Sequence, residues 1–135
     1  MDKPFAYTVA DVKQILELAD ANNTPVMSLS ILRSLPDATL FAQRMPEIGG
    51  AQYGAVFGGF TDIAGVIHTV SLNQHIFGAD VERVKRVTNG QQTLIHLDYG
   101  ERADRPRYGV TINCMIPLPH CALYASAFGS RGRIH

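Results

Sequence analysis

Apolar residues recur at Val9, Val12, Ile15, Leu16 and Ala19, a spacing of three and four that predicts one amphipathic helix. Thr8 with Asp11 three residues on gives it an N-terminal capping pattern, Asp standing where Glu or Gln is usual. "NNTP" ends it, because Asn favours the last turn and Pro25 cannot extend it. In "VMSLS" (Val26 to Ser30) large apolar and small polar residues alternate, which predicts a short strand. A second, shorter helix is expected from Pro36 to Arg44, with Pro36 in the first turn.

The glycine-rich run "EIGGAQYGAVFGG" carries Ile48, Tyr53, Val56 and Phe57 at spacings that suggest a strand under close backbone approach. Its glycines do not fall in the G-x-G-x-x-G order of a phosphate-cradling turn. A third and longest helix follows in "TDIAGVIHTVSLNQHIFG". Thr61 or Asp62 can cap it, Ile63, Val66, Ile67, Val70 and Leu72 supply apolar contacts, and Gly78 closes it. Beyond it, "DVERVKRV" and "QTLIHLDYG" flank Asn89-Gly90, the strongest hairpin signal in the chain. "RYGVTINCMIP" and "CALYASAFGSRGRI" add at least two more strands, the last turning at "GSRG". The sum is an α+β fold: a mainly antiparallel open sheet packed by one long helix, in two layers.

At 135 residues, 46% of them hydrophobic and 18% charged, the chain suits a globular domain. Its twelve basic and twelve acidic residues cancel, which argues against nucleic acid or an anionic membrane as partner. No segment reaches the roughly 18–20 apolar residues that span a bilayer. Asp2, Asp11 and Glu17 interrupt any signal-peptide layout, so a cytoplasmic protein is expected. Cys114 and Cys121 are read as two reduced thiols in preference to a disulfide. His120 and Cys121, adjacent on a strand, point to opposite faces and make no metal pair. "GERADRPR" reads as a solvated loop ahead of a basic binding patch.

Taken in order, "DKPFAYTVADVKQILELADANNTPVMSLSILR", "IGG", "GVIHTVSLNQHIFGADVERV" and "GSRG" resemble the glucose–fructose oxidoreductase / inositol dehydrogenase / MocA family from Asp2 to about Ile134. Each motif is short; their order and spacing carry the resemblance. Members look like two-domain oxidoreductases of sugars and polyols. A Rossmann domain holds NAD or NADP, and a C-terminal domain with a large open sheet shapes the substrate pocket and often mediates oligomerisation.

The resemblance implies roles for particular residues. The family's Glu-Lys-Pro tripeptide matches Asp2-Lys3-Pro4, which puts Lys3 at the nicotinamide and substrate and Pro4 beside the cofactor. An ammonium there can hydrogen-bond a substrate hydroxyl and stabilise developing negative charge; the plainer alternative is an exposed terminal lysine. His68, ten residues before Gly78, matches the family's general acid/base, for which an imidazole suits neutral pH; the alternative is a satisfied structural histidine. The family's aspartate four residues before that histidine is Ala64 here. Asp62, six before His68 and about 600° around the helix, is a cap first and an orienting carboxylate second. His75 shares the face of His68, but two imidazoles do not make a metal site, and none is expected.

No first βαβ unit, glycine fingerprint or ribose-binding acid precedes Asp2, and family members continue past "GSRGRIH". The expectation is a truncated member: residues 1–33 the helix-strand remnant of a nucleotide-binding domain, and 34–135 an incomplete substrate and oligomerisation domain. Such a chain is expected to be inactive alone, to form homo-oligomers through its open sheet, and to take a sugar or polyol ligand. The alternative is a noncatalytic self-associating or protein-binding module.

Overall fold

The computed structural model describes residues 3–115 and 123–135. Among the described residues there are three α-helices, α1 (Val9–Ala21), α2 (Pro36–Gln43) and α3 (Ile63–Phe77), with short 3-10 turns at Ile31–Ser34 and Met45–Ile48. Six strands, β1 (Ala51–Phe57), β2 (Arg83–Thr88), β3 (Gln92–Asp98), β4 (Val110–Met115), β5 (Tyr124–Gly129) and β6 (Gly132–Ile134), form one sheet in the order β2-β3-β4-β1-β5-β6. Every pairing is antiparallel except β1 with β4, which α3 and the β2–β3 hairpin separate in the chain.

Alternation along the strands divides the sheet into two faces. Thr93, Ile95 and Leu97 of β3 are buried, as are Val110, Ile112 and Cys114 of β4, and Ile95 pairs with Ile112 in register. Val56 and Ala127 extend that face, and α3 lies over it, with Thr69 Oγ1 3.4 Å from Cys114 Sγ. Gly54 leaves room for the Phe77 ring, which a Cβ there would overlap. The opposite face carries aromatic pairs: Tyr53 with Phe128 and Phe57 with Tyr124, ring centroids 5.9 and 6.0 Å apart. Among the described residues nothing covers these rings, and Phe57, Tyr124 and Phe128 are exposed. At one edge, all six residues of β2 are exposed; Arg83, Lys85 and Arg86 discourage strand addition there.

Two expectations need correction. Val26 to Ser30 is not a strand: it runs irregularly to the turn at Ile31, because no strand among the described residues lies beside it to complete a ladder. Ile48 belongs to a turn rather than to β1, since Pro46 starts that turn and Gly49, at φ +77°, ends it in a left-handed conformation. Cys121 and His120 fall outside the described residues. No helix among the described residues is long and apolar enough to cross a membrane.

Candidate functional site

Helix α3 organises the site. Gly58 and Gly59, both at positive φ, turn the chain out of β1, and Gly65 lets the first turn pack on Phe60, where a Cβ would overlap. Asp62 caps the helix, its Oδ1 accepting from the Gly65 N–H at 2.8 Å. That carboxylate is thus committed to the helix N-terminus, the first of the two roles weighed for it.

His68 is half-buried midway along α3, and its Nδ1 lies 2.8 Å from Ser30 Oγ. Ser30 is wholly buried. Its Oγ accepts from the Leu32 N–H at 3.2 Å, and its own N–H donates to Ser71 Oγ at 3.4 Å. The Ser30 hydroxyl can therefore donate to Nδ1 or accept from an Nδ1–H. Either way the contact orients the ring; only when Nδ1–H donates to Ser30 Oγ is Nε2 the unprotonated, basic nitrogen of the neutral imidazole. Ala64 stands where an orienting aspartate was sought, and Ser30 supplies a neutral partner from another segment. Nothing in the sequence pointed to Ser30, because 38 residues separate it from His68.

Lys3 and Pro4 are half-buried in the segment leading to α1, joined by a cis peptide bond; Asp2 lies outside the described residues. Ser30, at the far end of that segment, contacts His68. His75, two turns along α3, approaches Thr39 Oγ1 of α2 at 3.4 Å. Among the described residues no three His, Cys, Asp or Glu side chains gather as a metal site.

The N-terminus of α3 does not fit a dinucleotide pyrophosphate. The strand–glycine–helix passage that comes nearest is β1–Gly58–Gly59–α3, and there the Asp62 carboxylate holds the helix N-terminus where a pyrophosphate would need N–H donors and no negative charge.

No protein-family model and no curated protein sequence matches the chain. Solved structures do. Over 98% of this chain, the fold matches an oxidoreductase from Sinorhizobium meliloti with a TM-score of 0.73 at 16% identity. The WlbA (WbpB) dehydrogenase from Thermus thermophilus, solved with NAD and alpha-ketoglutarate, also matches over 98% of the chain, with a TM-score of 0.69 at 14% identity. UDP-N-acetylglucosamine 3-dehydrogenase GnnA from Acidithiobacillus ferrooxidans matches over 95%, with a TM-score of 0.65 at 12% identity. These neighbours are oxidoreductases of the glucose–fructose oxidoreductase / inositol dehydrogenase / MocA type, and at such identities the likeness is one of fold. The chain spans 42, 50 and 46% of their respective lengths.

Proposed function

We propose that this chain supplies the substrate-side and assembly region of an NAD(P)-dependent oxidoreductase acting on a sugar or polyol. The observation that carries the reading is the fold match, spanning 98% of this chain, to dehydrogenases of which it covers half or less. Within it, His68, in the tautomer whose Nδ1–H donates to Ser30 Oγ, takes the proton of a substrate hydroxyl on Nε2 and becomes imidazolium. Lys3 hydrogen-bonds that oxygen as negative charge grows on it. Residues 1–33 belong with a nucleotide-binding domain and 34–135 with the substrate domain. NAD or NADP would be held by other residues, in a longer protein or another chain, because the Asp62-capped helix cannot serve it. The uncovered aromatic face of Tyr53, Phe57, Tyr124 and Phe128 supports self-association, since rings of this size seldom stay in water when a like face is available.

Titration calorimetry with NADH and NADPH tests the reading. The chain alone should bind neither at millimolar concentration and should oxidise no member of a polyol panel. A nucleotide-binding domain joined ahead of Lys3 should restore activity that His68→Asn then removes. Activity unaffected by that substitution would overturn the role given to His68. Sedimentation of the folded chain as a monomer at high micromolar concentration would remove the assembly role. The noncatalytic module is the second reading, favoured by the Asp62 cap; failure of the joined protein to oxidise any polyol would select it.

A further inference from the structure

A half-open cleft of about 810 Å3 lies beside the loop that follows β3. Its size falls within the range of small-molecule sites. The start of β1 forms one wall, and residues 100–107 with the paired ends of β2 and β3 form the other. The chemistry-bearing lining is Gln52, Asp98, Glu101 and the arginines 102, 105 and 107, with Arg83 at the rim. Next to Asp98 and Gly100 in the chain, buried Tyr99 accepts from Asn73 Nδ2 at 2.9 Å and donates to the Gly78 carbonyl at 3.2 Å, which ties the start of the loop to α3. Gly78 packs against Arg105, with no room for a Cβ.

The arginines differ in how far their donors are used. Arg83 is spent on Asp98, with Nε at 2.9 Å and Nη2 at 2.7 Å from Oδ2. The Gly100 N–H and Arg83 together hold Asp98 below the usual carboxylate range, so this pair stays ionised. Arg105 donates to Asp104 at 2.8 Å and Asp80 at 3.2 Å, while its buried Nε has no hydrogen-bond partner among the described residues. Arg102 stands 3.8 Å from Asp80 and 3.6 Å from Asp104, beyond hydrogen-bond reach. Arg107 forms no ion pair among the described residues and lies 5.8 Å from the Tyr108 ring. Two guanidinium forks with unused donors therefore border one cavity whose remaining polar lining, Gln52 and Glu101, can accept from hydroxyls.

We propose that this cavity binds a small hydroxylated anion, a polyol or sugar carrying one carboxylate or phosphate monoester. Arg102 and Arg107 grip the oxyanion, for which a planar fork is the matched donor, and Gln52 and Glu101 receive the hydroxyls. Nucleic acid is a poor fit, because the chain carries no net charge and so offers no extended basic surface for a phosphate backbone. From His68 to Gly78, which touches Arg105, α3 advances roughly 15 Å, so this site is separate from the proposed oxidoreductase centre and stands or falls without it.

The test is an amide-shift NMR titration of the 135-residue chain with glucose 6-phosphate, gluconate and uncharged glucose. At least one of the two anions should shift residues 49–52 and 100–107 saturably at millimolar concentration while glucose does not; which one does tells phosphate from carboxylate. Arg107→Gln, at an exposed unpaired side chain, should weaken that binding about tenfold with the spectrum otherwise intact. Arg102→Lys, which keeps the charge and loses the fork, should weaken it less. Lys85→Gln, on the same sheet outside the cavity, should leave it unchanged. Equal shifts by all three probes, no shift by either anion, or an affinity untouched by Arg107→Gln would overturn the proposal.

Discussion

Helix α3 buries Thr69, Leu72, Asn73, Ile76 and Phe77, whereas α1, thirteen residues with a regular apolar stripe, buries none. Both helices have sound caps: Asp62 on Gly65 N–H in one, Thr8 on Asp11 N–H in the other. The difference lies in what each faces. Strands β1 and β4 present Gly54, Val56, Ile112 and Cys114 to α3, while Val9, Leu16 and Leu18 of α1 face water. An apolar stripe states a demand for a partner; the fold decides whether the chain meets it. Helices of α1's length are marginal without packing, so most of its stability must come from outside its own hydrogen bonds.

Substitutions in the two regions should separate them widely. Ile112→Ala, at a wholly buried site on β4, should cost about 2–5 kcal/mol in urea denaturation, since it removes most of a side chain from the core cluster beneath α3. Gly54→Val should cost about 1–3 kcal/mol by forcing Phe77 aside. Phe77→Leu in the same chain should return part of that loss, because the two sites share one volume. Full additivity of the pair would mean that α3 does not seat through Phe77.

At the boundary between the regions sits Ser30, and Ser30→Ala should cost about 1–2 kcal/mol through the lost Leu32 cap and the vacated place beside His68. A change confined to the cap would leave the 15N shifts of the His68 ring unmoved; the structure requires that they move, because Nδ1 loses its partner. Smaller again is a pH effect within the sheet. Asp98 is held below the ordinary aspartate value of 3.8, first by the Gly100 N–H and then by Arg83. Its contribution is therefore complete above that value and is lost as pH falls through the lower, folded one. Urea midpoints of Asp98→Asn and the parent chain should differ at neutral pH and converge in acid; a gap constant with pH would contradict this.

Much of the sheet-and-helix region was legible because its signals are local. Asn89-Gly90 does turn β2 into β3, with Gly90 at φ +76°, and Asp62 and Gly78 do bound α3. What was not legible depends on residues far apart in the chain. The parallel pairing of β1 with β4 joins Gly54 to Val110, and the Ser30–His68 contact spans 38 residues. Val26 to Ser30 misled for the same reason: alternation describes a strand's faces but not the neighbour that its hydrogen bonds need. Likewise "GERADRPR" gave its charges to the reader, while which arginines retain unused donors emerged only once Asp80 and Asp98 were placed beside them.

The smallest expected effect bears most directly on the comparison. Leu16 is exposed on α1, and Leu16→Ser should change the stability of the sheet-and-helix region by no more than about 0.5 kcal/mol. Hydrogen exchange on the same variant should show α1 amides exchanging far faster than those of α3, as they should in the parent chain, since no buried contact slows their opening. A loss near that of Ile112→Ala would mean that α1 is packed in solution, against a second copy or the uncovered aromatic face. The two readings then part on concentration. If the contact is intermolecular, diluting the parent lowers its stability to the variant's value, whereas an intramolecular contact is indifferent to dilution. If the parent proves indifferent both to Leu16→Ser and to dilution, the stripe on α1 is an unmet demand, as expected of a helix whose partner domain the proposed oxidoreductase supplies from elsewhere.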